Sequence, residues 1–204
     1  LPAIRGPVPL AKTLAAIDTL SDGRLVAAVG PGSSPMDYKA VGLDFGERWA
    51  RLDESIQVLR ALWRRDVEPF VGRFYSTVGI NLDPHPPREQ GIPIWVGSWG
   101  SNAGLRRAAR LGDGWLASAY NTTPPLFGEA WQRLRGLLAE HDKDPEHFPN
   151  ALATMWFYLT DDRDEADRVM RERIVPTIHR PEEVLRERLP VGPAEAFAET
   201  LSGF

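Results

Sequence analysis

Apolar residues recur along this chain at two spacings, helical and extended, and stretches of the two kinds alternate. Leu10, Leu14 and Ile17 keep helical spacing until Ser21, Asp22 and Gly23 stop it, and residues 24–29 then read as a strand. A longer stripe, Leu52, Ile56, Leu59 and Trp63, predicts a scaffold helix with Arg48, Arg51, Asp53, Arg60 and Arg64 around it. Residues 69–87 change character, with Phe70, Phe74, Tyr75, Val78, Ile80 and Leu82 leading into a proline cluster, which reads as a short hairpin and loop. Ile94, Trp95 and Val96 form a compact run expected to be a buried parallel strand. Next, Leu105, Ala108, Ala109 and Leu111 fall near one helical face, with Arg106, Arg107 and Arg110 largely off it, before Gly112, Asp113 and Gly114 restore an extended run at Trp115. Phe127, Trp131, Leu134 and Leu138 mark a further helix, and residues 150–160 (NALATMWFYLT) form the most apolar stretch, expected to be a central strand with Met155, Trp156 and Tyr158 filling the core in preference to lining a ligand cavity. A last helix opens at Pro193 with Ala194, Phe197 and Leu201 near one face. Four strand–loop–helix units, beginning near residues 24, 92, 115 and 151, predict an α/β fold with parallel strands.

Two of the strand-to-helix loops carry candidate chemistry. Gly97, Ser98, Trp99, Gly100, Ser101 and Asn102 lie between a strand and a helix, where glycines allow close backbone approach and Ser101 or Asn102 can cap the helix. Amide hydrogens at such a helix start favour an anion, most often a phosphate. The second loop, with Gly30, Pro31, Gly32, Ser33 and Ser34, reads from composition alone as turn chemistry.

The remaining polar features have plainer readings. Asp53 and Glu54 are adjacent on a helix and diverge by about 100°, so they do not face one substrate. His85 sits in a proline-rich turn, and His141 and His147 flank acids without a zinc-ligand spacing, so no metal site is expected. The acidic run at 161–165 falls where a helix dipole favours it.

Composition narrows the function classes. The 24 Lys and Arg against 28 Asp and Glu give a net charge of −4, against a general nucleic-acid binder. No cysteine is present, which removes thiol nucleophiles and thiolate metal sites and fits a reduced, cytoplasmic compartment. No apolar run is long enough to cross a membrane.

The order of these segments resembles the luciferase-like monooxygenases, the bacterial-luciferase superfamily of flavin- and deazaflavin-dependent oxidoreductases. The resemblance is carried by PIWVGSWGS and RRAARLGDGW from Pro93 onward, by LAKTLAAIDTLSDGRLVAAVGPG from Leu10, by ERWARLDESIQVLRALW from Glu47 and by FVGRFYS from Phe70. It implies a (β/α)8 TIM barrel as one domain over residues 1–204, with a hairpin insertion at about 67–90. Because such a barrel usually needs about 250 residues, only its middle units are expected in these 204 residues. Missing strands would leave edges that further residues or a partner chain must cover.

The resemblance also implies a flavin at the barrel rim, with phosphate contacts to Gly100 and Ser101 and with Gly97, Ser98, Trp99 and Asn102 as loop neighbours. It turns Gly32 and Ser33 into a candidate site wall. Gly104 stands where some relatives place a hydroxyl, so one phosphate contact is expected to be lost. Deazaflavin-dependent sugar-phosphate dehydrogenases of the superfamily place an acid directly after this Gly-x-Gly; Ser33 is a poor acid or base near neutrality, which leans the expectation toward reduced FMN and dioxygen acting on a small organic substrate, with coenzyme F420 as the alternative cofactor. A flavin reductase and a homodimer are the expected partners. No catalytic side chain is assigned, since the cofactor carries the chemistry. Two other readings stand beside it: a non-catalytic flavin-binding relative, and an unrelated phosphate-binding barrel enzyme acting on a phosphorylated metabolite.

Overall fold

The computed structural model describes residues 1–65 and 67–204. Contacts divide it into two compact units, Leu1–Gly97 with Arg110–Gly114, and Ser98–Ala109 with Trp115–Phe204.

The first unit begins with α1 (Pro2–Arg5) and α2 (Pro7–Leu20), followed by β1 (Ala27–Val29), α3 (Pro35–Ala40), α4 (Arg48–Trp63) and most of β2 (Ile94–Ser98). β1 runs parallel to β2, in register from Ala27 opposite Ile94 to Val29 opposite Val96. All four stripe residues of α4 are buried, as its spacing predicts. The stripe expected on α2 is not the buried one. Leu10 and Leu14 are partly exposed and Ile17 is exposed, while Ala11, Ala15 and Asp18 are buried. The alanines let a neighbour approach closely: the Trp63 indole N–H donates to the Ala11 carbonyl at 3.1 Å. Asp18 tolerates burial because its Oδ1 accepts from Arg88 at 2.8 Å and from the Leu25 N–H at 3.0 Å.

Asp113 locks the start of β2. Its Oδ2 accepts from the Ile94 N–H at 2.8 Å, and Arg60 on α4 donates to both of its oxygens at 2.9 Å. Over residues 67–90 the antiparallel pairing is a single bridge, Val71 opposite Ser76. Glu54 holds that turn by accepting the N–H groups of Arg73, Phe74 and Tyr75 at 2.9, 2.8 and 3.3 Å. Asp53, its neighbour, pairs with Arg110 at 2.7 Å.

The second unit holds most of α5 (Asn102–Leu111), then β3 (Gly114–Ser118), α6 (Pro124–Ala139), β4 (Asn150–Ala153), β5 (Tyr158–Leu159), α7 (Arg163–Val169), α8 (Val175–Ile178), α9 (Glu182–Arg188), β6 (Val191–Gly192) and α10 (Ala194–Ser202). β3 runs parallel to β4, and β5 parallel to β6. The Trp115 ring stacks on Phe127 and Trp131 of α6 at 5.1 and 6.4 Å. Met170, Ile174, Leu185 and Leu189 form another core cluster, around a π-helical turn at Met170–Ile174.

Residues 150–160 are not one central strand. β4 ends at Ala153, Thr154 takes φ +60°, and the chain resumes as β5 with a different partner. Trp156, Phe157, Tyr158 and Leu159 are exposed, so the expectation that Trp156 and Tyr158 fill a core is overturned for this unit. Asp162 does cap α7, accepting from the N–H groups of Asp164 and Glu165.

Candidate functional site

The turn from β2 into α5 draws its order from three directions. Within the turn, the Gly100 N–H donates to Ser98 Oγ at 3.3 Å, and the Gly104 N–H donates to Ser101 Oγ at 3.3 Å. The Leu105 N–H takes the Ser101 carbonyl at 2.8 Å, so Ser101, rather than Asn102, caps the helix. From below, the Trp115 indole N–H donates to the Ser98 carbonyl at 3.3 Å. From α6, Arg133 donates to Asn102 Oδ1 at 2.9 Å and to the Gly100 carbonyl at 3.2 Å.

Glycine is required twice in this turn. Gly100 has φ +83°, and a Cβ there would stand 3.1 Å from Cβ of Ala130. A Cβ on Gly104 would collide with the Ser98 hydroxyl.

The first turn of an α-helix offers N–H groups with no partner inside the helix. The Gly104 and Leu105 N–H groups are used by Ser101, which leaves those of Asn102 and Ala103, both exposed residues, to a ligand. The Ser101 hydroxyl, accepting from Gly104, keeps its own proton to donate. Arg133 adds a positive charge bound only to neutral oxygens among the described residues. Such an arrangement fits a phosphate: backbone N–H donors are left open at a helix start, beside a serine hydroxyl and a cationic side chain.

Ser98, Trp99, Gly100, Ser101 and Asn102 thus come together in the second unit, around the start of α5. Ser98 and Gly100 are buried, and Trp99 is 57% exposed. Gly97, Gly32 and Ser33 belong to the first unit. Gly32 takes φ +78°, Ser33 is exposed, and Ser34 caps α3 by accepting from the Asp37 N–H at 3.3 Å. The Pro31 carbonyl accepts from the buried Tyr38 phenol at 2.6 Å; burial raises the pKa of that phenol and keeps it a donor. His147 contacts Asp144 in an exposed turn.

Sequence reasoning missed Arg133 and Arg180. The Arg180 guanidinium lies 5.5 Å from the centre of the Trp99 ring and donates to Asn121 Oδ1 at 3.1 Å. An arginine among many carries no local signal of such a role.

A family model described as luciferase-like monooxygenase matches residues 1–201. An uncharacterized protein of Mycobacterium tuberculosis is 39% identical over 113 residues, covering 55% of this chain and 38% of that protein. An F420-dependent glucose-6-phosphate dehydrogenase of Nocardia farcinica is 34% identical over 117 residues, covering 55% of this chain and 34% of the relative. The matches therefore span well under half the length of these curated relatives. Among solved structures, an F420-dependent secondary alcohol dehydrogenase in complex with an F420–acetone adduct aligns with TM-score 0.81 at 21% identity, over 98% of this chain and 66% of that one. The oxygenating constituent of 3,6-diketocamphane monooxygenase from Pseudomonas putida, in complex with FMN, aligns with TM-score 0.67 at 17% identity, over 91% and 57%. These likenesses carry the fold, α/β of the TIM-barrel class. With the family match running almost the whole length, this chain belongs to the luciferase-like monooxygenase family.

Proposed function

We propose that this protein is an oxidoreductase that holds the phosphate of coenzyme F420 at residues 98–103, with FMN as the second reading. One observation carries it: a loop-to-helix turn that leaves the Asn102 and Ala103 N–H groups to a ligand while Ser98, Ser101 and Arg133 fix the backbone. Members of the family are flavin- or F420-dependent oxidoreductases and monooxygenases. F420 is favoured by the curated relatives at 34% identity, which carry F420-dependent names. FMN is favoured by Ser33, whose hydroxyl is no proton acceptor near neutrality where an acid would serve hydride transfer.

Once bound, F420 supplies hydride exchange, and FMN in its reduced form supplies oxygen activation. The side chains of this turn bind and orient. Ser101 donates to a phosphate oxygen, Arg133 keeps Asn102 and Gly100 in place and lends charge, and Trp99 offers an exposed aromatic face beside the anion. The substrate is a small organic molecule. In the FMN reading a separate flavin reductase delivers the reduced cofactor, and a cytoplasmic homodimer completes the proposal.

Titration of the protein with F420 and with FMN, for wild type and Ser101→Asp, tests this. Aspartate caps a helix as well as serine does, so folding is retained while its charge repels the phosphate, and affinity should fall about tenfold or more. Affinity unchanged by Ser101→Asp puts the phosphate elsewhere. Tighter FMN binding, with oxygen consumption, moves the assignment to the second reading.

A further inference from the structure

A directional chain of hydrogen bonds runs through the second unit at the carboxyl ends of its strands. Thr154 follows the last residue of β4, and its single hydroxyl proton goes to the Ala153 carbonyl at 2.6 Å. The 2.9 Å bond between the Thr154 and Ser118 hydroxyls is therefore donated by Ser118, the last residue of β3. Asn121 Nδ2 donates to Ser118 Oγ at 3.0 Å, and Arg180 donates to Asn121 Oδ1 at 3.1 Å. The hydroxyl protons are thereby committed, and the donors left open are the second amide N–H of Asn121 and the remaining N–H groups of Arg180. The open end of the network offers donors, so it is matched by an acceptor.

Charge points the same way. Two arginines of this segment are neutralised, Arg171 by Glu182 and Arg186 by both Glu182 and Asp167, whereas Arg173 and Arg188 have no ion pair among the described residues. Arg180 meets only the Asn121 amide oxygen and the face of Trp99 among the described residues. It is held from two sides and leaves a cation uncompensated. The backbone is also strained to make this corner. Thr154 is β-branched at φ +60°, a conformation such residues rarely adopt and one that clusters at functional positions. Strand carboxyl ends are where α/β folds of this class place their ligands.

We propose that Arg180, positioned by Asn121 and Trp99, heads a second anion subsite that binds a carboxylate or phosphate oxygen of the substrate. It borders the turn at 98–103 through the Trp99 ring, but its own anchor is Asn121, on the 3-10 turn that follows β3, and not the start of α5. The inference rests on the function proposed above only in calling its ligand the substrate.

Calorimetric titration of the protein with inorganic phosphate, and separately with acetate, tests it in wild type, Ser101→Asp, Arg180→Met and Arg180→Lys. Wild type should take up two phosphates, and one once F420 or FMN is bound. Arg180→Met should lose one site, a weakening of about tenfold or more, yet bind cofactor as wild type does. Ser101→Asp should lose the other. Arg180→Lys keeps the charge, should retain part of the affinity, and serves as the informative variant if Arg180→Met fails to fold. Acetate competing at the Arg180-dependent site identifies a carboxylate ligand; phosphate binding alone there identifies a phosphorylated one. Two intact sites in Arg180→Met overturn the proposal, and so does a single site that vanishes together with cofactor binding. If neither cofactor binds but the Arg180-dependent site persists, the cofactor reading fails and the subsite stands.

Discussion

The Ser98 hydroxyl occupies the place that a Cβ on residue 104 would take, with Ser98 Cβ 2.9 Å and Ser101 Oγ 3.1 Å from the same point. A helix interior ordinarily gains about 1 kcal/mol from Gly→Ala, so the contact sets packing against propensity. Packing is expected to win. Gly104→Ala should lower the melting temperature and weaken cofactor binding, because Ser98 must move and release the Gly100 N–H. Ser98→Ala should return part of that loss in the double variant, a coupling of about 1 kcal/mol in a double-mutant cycle. Strictly additive effects would refute the contact as the cause.

Glu54 provides a second test, within the first unit. Its carboxylate gathers three backbone N–H groups, those of Arg73, Phe74 and Tyr75. Hydrogen bonds to a charged acceptor contribute about 1.5–3 kcal/mol each at most, and Glu54→Ala removes the shared acceptor. The variant should lose about 2 kcal/mol of stability and show faster amide exchange at residues 73–75. Unchanged exchange there would mean that the turn holds itself.

The His147–Asp144 pair predicts a pH dependence. A hydrogen bond to Asp144, reinforced by its charge, raises the His147 pKa. The same bond, with that from the Glu146 N–H, lowers the pKa of Asp144. A raised histidine pKa means that the stabilisation is full below the ordinary histidine value and is lost as pH rises through the folded value. A depressed carboxylate means that it is lost again as pH falls through the folded value of Asp144. His147→Gln should therefore flatten the melting temperature on the alkaline side of histidine titration. Both groups lie on the surface, so the step should be small and shrink with salt. A His147 imidazole that titrates by NMR at or below its ordinary pKa would contradict this pairing.

The local chemistry of the turn is legible in residue order: the run at Ile94, Trp95 and Val96, the glycines, the serine cap and the helix to Leu111 all follow from propensity and spacing. The same holds for α4, where Leu52, Ile56, Leu59 and Trp63 declare the buried face. A helix stripe records which face is apolar, however, and not how near its neighbour comes. On α2 the packing of α4, with Trp63 bonded to the Ala11 carbonyl, chose Ala11 and Ala15 over Leu10 and Leu14, and the long-range partner Arg88 allowed Asp18 to be buried.

Residues 150–160 fail for a related reason. Apolar content cannot register a break such as that at Thr154, because the change of strand partner depends on Val191 and Gly192 far along the chain. Order along the chain determined the turn at 98–103, since the N–H groups it leaves open come from consecutive residues. Tertiary structure alone decided that Arg133 and Arg180, 31 and 59 residues from Asn102 and Asn121, would brace it and border it, because a guanidinium finds its oxygen only after the chain has folded.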